Sequence, residues 1–265
     1  MTAGPETEHD RDKRRAQRAL FDTIAGQYEA SRPGYPAPVL DFVAATAGIS
    51  AGCTALEIGC GTGQLTEGLA RRGLRLTAID IGPALIDRAR RRPGCTDVSF
   101  QLTAFEDLAA ADASFDLIIS AAAFHWIDPQ VAFGRSARLL RSDGWLALLG
   151  TADEYDDPVG PALDELWVRH GDTGGAWQRR PPDPDVIAAT GLFGPPGCLT
   201  HRWRDAMSPA EVVGLERTRA TFLSWPPERQ SAFAEELRSL AAALPVVGLT
   251  RQTTVTMAPV LCGRQ

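Results

Sequence analysis

The chain of 265 residues carries 27 basic and 33 acidic residues, so its net charge is −6. Because an acidic surface repels a phosphate backbone, this balance disfavours nucleic acid as a partner. Apolar residues make up an ordinary 44% of the chain, but no uninterrupted apolar run reaches the roughly 18 residues that span a bilayer. The polar first ten residues also lack the apolar segment of a signal peptide. We therefore expect a globular protein without a membrane partner.

The cysteines and histidines are dispersed along the chain. The five cysteines are odd in number and include no C-x-x-C pair, and the four histidines form no cluster with them. This pattern predicts neither a disulfide framework nor a metal site. It favours a reducing, cytoplasmic location.

In chain order, the first predicted element is a charged arm. Residues 1–19 contain the mixed run Asp10–Arg15, which indicates a mobile, solvated arm that leads into a helix. After the break at Pro33–Pro36, a helix is expected over Pro38–Ala47, with proline in its first turn. Residues 20–265 are interpreted as one domain.

Between residues 20 and 151, short apolar runs alternate with amphipathic stretches. Strands are predicted at Cys53–Ile58, Leu74–Ile79, Val98–Leu102, Phe115–Ala121 and Trp145–Leu149. Helices are predicted between them at Gln64–Arg72, Pro83–Arg92 and Pro129–Arg141. Strand–helix alternation at this spacing predicts an α/β fold, a doubly wound and mostly parallel sheet with helices on both faces.

The alternation ends after residue 151. Residues 152–252 are predicted to be insertions that cover the sheet, with short helices at Ala162–His170, after Ser208 and at Glu228–Leu244, and a strand at Leu199–Met207. The β-branched stretch Thr253–Val260 predicts a final strand within residues 253–265.

A glycine-rich turn directly follows the first predicted strand. In Glu57-Ile-Gly59-Cys-Gly61-Thr-Gly63, an acid and then three glycines precede a helix. Glycines allow a ligand to lie against bare backbone, at the sheet edge where such folds bind ligands. The third glycine of a dinucleotide-binding G-x-G-x-x-G motif is missing in either register, and no phosphate-binding Gly-Lys-Ser/Thr is present. The turn is therefore suited to a small ligand without a pyrophosphate.

A second acid, Asp80, ends the next predicted strand, 17 residues after Gly63. One helix and one strand fill that interval, so Asp80 is expected beside the glycine turn. There its carboxylate can accept hydrogen bonds from both hydroxyls of a ribose. Asp80 could instead cap the helix that starts at Pro83.

These residues belong to an ordered set of motifs. Glu57–Gly63, Asp80, Phe105–Leu108, Ser114–Ile118 and Leu139–Trp145 stand in the order seen in class I S-adenosylmethionine (SAM)-dependent methyltransferases. The chain resembles that family, and Tyr28, Arg32–Pro36 and Phe124–Trp126 are similar to its small-molecule, trans-aconitate-type subgroup. The resemblance implies a seven-stranded sheet whose last strand is antiparallel, with helical insertions over the active site. It also implies SAM as cofactor, S-adenosylhomocysteine as product and no metal.

The resemblance also implies roles for individual residues. The backbone at Gly59, Cys60, Gly61 and Gly63 and the side chain of Glu57 would form the SAM turn, with Ala121 facing it. Asp80 would bind the ribose, and Ile81 would pack on the adenine. Phe105 and Glu106 would line its other face, where many relatives have an acid at the position of Ala104. Arg32 would pair with the methionyl carboxylate.

The remaining assignments concern the methyl acceptor. His125 follows the fourth predicted strand and is the candidate general base, although it could simply pack the turn before Asp128. Tyr28, Tyr35, Phe124 and Trp126 are candidates for enclosing a small organic acceptor. The aromatic residues of the insertions are candidates either for a lid or for a satellite core: Tyr155, Trp167, His170, Trp177, Phe222 and Trp225.

Several functional alternatives remain open from the sequence. The fourth strand lacks the Asn/Asp-Pro-Pro-aromatic run of nucleic-acid base methylation and a Pro-Cys nucleophile, so a metabolite acceptor is favoured. The fold could instead bind SAM for a reaction other than methyl transfer, or without turnover. An NAD-linked oxidoreductase is the competitor from another enzyme class. The oligomeric state is expected to be monomer or homodimer.

Overall fold

The computed structural model of the chain describes residue 16, residues 18–172 and residues 183–261. Its centre is one seven-stranded sheet in the order β3-β2-β1-β4-β5-β7-β6. The strands are β1 Thr54–Ile58, β2 Arg75–Asp80, β3 Ser99–Leu102, β4 Phe115–Ala121, β5 Leu140–Tyr155, β6 Gly197–Met207 and β7 Val247–Pro259. The predicted α/β sheet is therefore confirmed.

The sheet has one reversed strand. Strands β3, β2, β1, β4 and β5 are parallel to one another, whereas β7 runs antiparallel between β5 and β6. The central strands β1 and β4 are covered on both faces, which explains why they are continuous apolar runs in the sequence. The carboxyl ends of β1, β2, β4 and β5 therefore meet at one edge of the sheet.

Strands β5 and β7 are much longer than their apolar centres predict. They pair from Trp145 with Pro259 to Tyr155 with Leu249, and β7 begins at Val247 rather than at Thr253. Residues of β7 alternate between buried and half-buried positions, so polar threonine, glutamine and arginine interrupt the run. The predicted boundaries of the insertions at residues 152 and 252 are wrong, because both ends of that region belong to the sheet.

The helices occupy both faces of the sheet. They are α1 Ala25–Ser31, α2 Ala37–Ala47, α3 Gln64–Ala70, α4 Pro83–Ala89, α5 Pro129–Leu139, α6 Val159–Arg169, α7 Pro184–Ala188, α8 Pro209–Glu216, α9 Ala220–Ser224 and α10 Pro227–Ala241. Apolar residues of α2 and α3 share one core with the sheet, and α5 contributes to a core on the other face. Helix α1 is the helix predicted after the arm, whereas α7 and α9 were not predicted, because each is too short to show a clear period.

A separate apolar cluster holds the cover together. Residues from α6, α8, α9 and α10 pack with Leu249 and Val247 at the start of β7. Its centre is Phe233, which is fully buried, with the Trp167 ring at 4.4 Å and the Trp225 ring at 5.2 Å. The cover is thus a satellite core attached to the antiparallel end of the sheet.

Only the end of the predicted N-terminal arm falls within the described residues. Residues 1–15 and 17 lie outside the described residues, as does Trp177. Residue 16 and residues 18–23 are helical, so the end of the predicted arm at residue 19 is too late. Among the described helices, none is both long and apolar enough to cross a membrane.

Candidate active site

A cavity of about 330 Å³ opens at the carboxyl edge of the sheet. Its floor is formed by the ends of β1, β2 and β4 with their loops, and its roof by the helical residues 18–23 and by α9. Nine of the predicted site residues line it: Tyr28, Gly59, Gly61, Asp80, Ile81, Phe105, Ala121, His125 and Trp126. The topology therefore brings together motifs that are far apart in the sequence.

The glycine turn presents backbone to this cavity. Gly59 and Gly61 have φ values of 71° and 55°, in the left-handed region that disfavours other residues. A Cβ on Gly59 would lie 2.3 Å from the Cβ of Ala123, so the turn and the β4 loop touch there. A Cβ on Gly61 would approach only Tyr28, at 3.9 Å, and would otherwise enter the cavity. A side chain at position 61 would therefore occupy part of the cavity beside the glycine turn.

Asp80 is bound to the same turn. Its Oδ2 accepts a hydrogen bond from the Gly61 N–H at 2.8 Å, and its Oδ1 accepts from the Gly82 N–H at 3.0 Å. Burial raises the pKa of Asp80, and these backbone hydrogen bonds oppose the shift. Each carboxylate oxygen keeps further lone pairs, so the residue can still accept from a diol. Helix α4 begins after Gly82 without a side-chain cap, so Asp80 is not its N-cap.

Two further residues of the turn are buried beneath it. Glu57 is 1% exposed, and burial, with the nearby Asp80 charge, raises its pKa to about 8 against the opposing Thr66 hydroxyl. Its Oε2 has no hydrogen-bond partner within the described part of the chain. Burial also raises the pKa of the Cys60 thiol well above its usual value. Cys60 is therefore a packed side chain and not a nucleophile.

The opposite end of the cavity is apolar and closed by an ion pair. Ile81, Ala104 and Phe105 line it. Glu106 does not line it, because its Oε1 accepts from the Arg18 Nη2 at 3.1 Å. Arg18 takes the place in the lining that the sequence assigned to Glu106.

The loop after β4 divides into a cavity side and a core side. His125 is exposed and lines the cavity, with its ring 4.8 Å from that of Trp126. Phe124 lies in the core, where its ring is 5.1 Å from Phe133. Phe124 therefore lies behind the cavity lining, and its assignment to the acceptor stays a prediction. His125 is also not packed into the core of the turn.

A second, smaller cavity adjoins the glycine turn on the side away from β2. Arg32, Tyr35, Glu57 and Cys60 line it. The Arg32 Nη2 donates to the carbonyl of Thr218 at 3.1 Å, so the cover helps to hold this guanidinium. These four predicted residues therefore surround one end of the turn.

Gly63 has a different role from the other two glycines of the turn. It lines neither cavity, and a Cβ on it would lie 3.0 Å from Ala89 in α4. Its φ of 86° starts helix α3. Gly63 thus allows α3 and α4 to approach, and its assignment to the cofactor stays a prediction.

Sequence reasoning missed the cavity residues of the roof. Phe21, Arg219, Thr221 and Ser224 line the cavity but belong to no motif. The aromatic lid candidates were the visible signal there, yet Tyr155, Trp167, Phe222 and Trp225 pack in the cover and line neither cavity. Within residues 16–172 and 183–261, no group of three His, Cys, Asp or Glu could hold a metal ion.

The comparisons with known proteins agree with this geometry. A family described as "methyltransferase domain" matches residues 56–148, from β1 to β5. An uncharacterized methyltransferase of Mycobacterium tuberculosis is 30% identical over 88% of this chain and 90% of its own length. This chain belongs to the SAM-dependent methyltransferases. Its order of strands and its glycine turn are those of class I.

Other similar proteins match in part or in fold. The ubiquinone biosynthesis O-methyltransferase of Xanthomonas oryzae is 38% identical over 41% of this chain and 47% of its own length. The YcgJ protein of Bacillus subtilis has a similar fold with a TM-score of 0.54, at 19% identity over 84% of this methyltransferase and 98% of that chain. The Haemonchus contortus phosphoethanolamine N-methyltransferase 2, solved with S-adenosyl-L-methionine, has a TM-score of 0.52 at 15% identity over 91% of this chain and 57% of its own.

Proposed function

We propose that this methyltransferase transfers a methyl group from SAM to a small organic acceptor, a metabolite, bound in the roofed cavity. The observation that carries this proposal is the roof itself. Residues 18–23 and α9 cover part of the cavity, whose volume is about 330 Å³. A cavity of this size suits a small molecule next to a bound cofactor better than a polymer chain. Part of the support is the name of the Xanthomonas relative, which acts in quinone biosynthesis.

The residues of the floor fit the cofactor. Bare backbone at Gly59 and Gly61 would hold the amino-acid part of SAM, and Arg32 in the second cavity would pair with its carboxylate. Asp80 would take the ribose hydroxyls, and Ile81 and Phe105 would contact the adenine. When bound, SAM supplies a methyl carbon that its sulfonium makes electrophilic. Tyr28 and Arg32, which face the glycine turn, support placing the chain in the trans-aconitate-type subgroup.

The protein then has to orient the acceptor, exclude water and remove a proton where the acceptor is a hydroxyl or an amine. His125 lies in the cavity lining and can take that proton, because imidazole titrates near neutral pH. Tyr28 and Trp126 contact Phe21 edge-to-face, at 5.7 Å and 6.2 Å between ring centroids. These aromatic contacts close the roof onto the floor and exclude water from the cavity.

The test is incubation of the purified enzyme with SAM and a library of small metabolites, followed by product mass. We expect one library compound to gain a single methyl group as S-adenosylhomocysteine forms, and Asp80→Ala to abolish both. Saturable SAM binding without either product, across acids, phenols, amines and thiols, would instead indicate another reaction or a binding protein. Tight binding of NADH with none of SAM would overturn the assignment of the cofactor.

A further inference from the structure

The roof of the cavity contains an arginine held by a buried carboxylate. Arg219, which precedes α9, lines the cavity, and its side chain is 15% exposed. Glu216 is fully buried behind it. The Arg219 Nη2 donates to the Glu216 Oε1 at 2.7 Å, and Nε lies 2.6 Å from Oε2. Glu216 therefore binds one edge of the guanidinium as a fork.

Glu216 has no capacity left for another ligand. Besides the two Arg219 contacts, its Oε1 accepts from the Tyr155 hydroxyl and its Oε2 from the Trp167 Nε1, both at 3.0 Å. These four contacts occupy the acceptor positions of a carboxylate. The Trp167 ring also lies under the Arg219 guanidinium, at 5.5 Å. Glu216 thus fixes the orientation of Arg219 and is itself closed off from the cavity.

The other edge of the guanidinium is turned to the cavity. Arginine has five N–H groups in a rigid plane, and the fork with Glu216 uses only Nε and one hydrogen of Nη2. The remaining hydrogens of Nη1 and Nη2 form a second fork, and no protein group within the described residues accepts from it. Because Arg219 lines the cavity and its ion-pair partner lies behind it, this second fork faces the space for the acceptor.

The geometry of the free guanidinium edge, rather than the summed charge of the lining, favours a carboxylate there. Among the described residues, Asp80 is the one acidic side chain in the lining of this cavity. Its carboxylate accepts hydrogen bonds from the N–H groups of Gly61 and Gly82. Arg219 and Arg18 both line the same cavity, and their ion-pair partners Glu216 and Glu106 lie outside its lining. A planar carboxylate matches the free edge of Arg219 with two parallel hydrogen bonds, which a neutral amide cannot do.

We propose that the acceptor carries a carboxylate that binds the free edge of Arg219, and that Glu216 is the residue that positions this arginine. The inference rests on the proposed function, because it describes the acceptor of the same cavity. It assigns substrate recognition to residues 216–219, outside the region 56–148 that the methyltransferase family matches.

The experiment is calorimetric titration of the protein saturated with S-adenosylhomocysteine. The probes are matched pairs of aromatic and aliphatic carboxylic acids and their primary amides, such as 4-hydroxybenzoate and 4-hydroxybenzamide, with phosphonates of the same shape as a third arm. We expect some acids to bind at least about tenfold more tightly than their amides, because the charge-assisted fork is lost with the amide. Equal affinity for acids and amides, preference for phosphonates, or no binding by any acid overturns the carboxylate assignment.

The variants separate recognition from folding. Removing Arg219 alone would leave Glu216 buried without its ion partner, so the double variant Arg219→Met with Glu216→Gln removes both charges together. It should keep the affinity for S-adenosylhomocysteine and lose the preference for acids. Arg219→Lys retains the charge without the fork and should lose most of the preference. Preference retained by both variants overturns the role of Arg219.

Arg217→Met is the matched control, because this neighbouring arginine lies near Phe222 and does not line the cavity. It should preserve the preference, and loss there would mean that the whole segment is only structural. Failure of the wild-type protein to bind S-adenosylhomocysteine would instead reject the proposed function.

Discussion

The floor and the roof of the cavity use different kinds of chemistry. The floor, from β1 to β4, offers backbone: Gly59 and Gly61 have no side chains, and Asp80 is tied to their turn. The roof offers side chains, with Arg219 held by Glu216 above a separate apolar cluster. Backbone recognition needs the same main-chain path in every relative, whereas side-chain recognition can change one residue at a time. Under the proposed function, the floor would bind the shared cofactor and the roof would bind the particular acceptor.

The largest effect is expected from His125→Gln. If His125 is the base between floor and roof, turnover should fall by about 10²- to 10⁴-fold while the SAM affinity stays within twofold. Calorimetry with SAM and product formation by mass spectrometry measure the two quantities. His170→Gln is the control, since His170 pairs with Glu236 in the cover and lines neither cavity. Unchanged turnover of His125→Gln would end its assignment as the base.

Phe233→Ala tests whether the roof is an independent core. Truncating this fully buried ring between Trp167 and Trp225 should lower the free energy of unfolding by about 3–5 kcal/mol. Urea denaturation measures the loss, and calorimetry should show an unchanged SAM affinity at low temperature. A large loss of SAM affinity in the folded variant would contradict the separation of roof from floor.

Glu57→Gln tests the electrostatics of the floor. The folded pKa of Glu57 is about 8, above its ordinary 4.5, so between these values the folded protein keeps a proton that the unfolded chain releases. Stability from this group therefore falls as the pH rises from about 4.5 to 8, by about 1.4 kcal/mol per pH unit. Neutral glutamine should remove this slope, which urea unfolding at pH 5, 6.5 and 8 can measure. Parallel curves for wild type and variant would refute the raised pKa.

The smallest effect is expected from Gly61→Ala. Its methyl group would enter the cavity, so we expect about a tenfold loss of SAM affinity, or 1.4 kcal/mol, together with a modest cost from the positive φ. Gly197→Ala, at the exposed start of β6, is the control: a Cβ there meets nothing within 4 Å and the residue lines neither cavity, so SAM affinity and stability should not change. Equal SAM affinity for both variants would show that the cofactor does not bind against Gly61.

The floor was predictable because its parts are local in sequence. Gly59 and Gly61 stand directly after an apolar strand, and Asp80 stands one helix and one strand later, so chain connectivity places them together. Phe124 and Gly63 lie outside both cavity linings, because a motif gives the spacing of residues but not the direction in which a side chain points. The contact of Glu106 with Arg18 was not predictable, because Arg18 is 88 residues away in sequence.

By itself the sequence determined the α/β fold, the glycine turn and the family, since hydrophobic periodicity and short motifs report interactions over one or two turns of chain. Only the tertiary structure decided the length of β5 and β7, the satellite core and the orientation of Arg219. These features depend on long-range contacts, such as the hydrogen bond from Tyr155 to Glu216, 61 positions away. A local sequence pattern does not contain such contacts. Long-range packing fixes side-chain direction, and side-chain direction decides which residues reach the cavity.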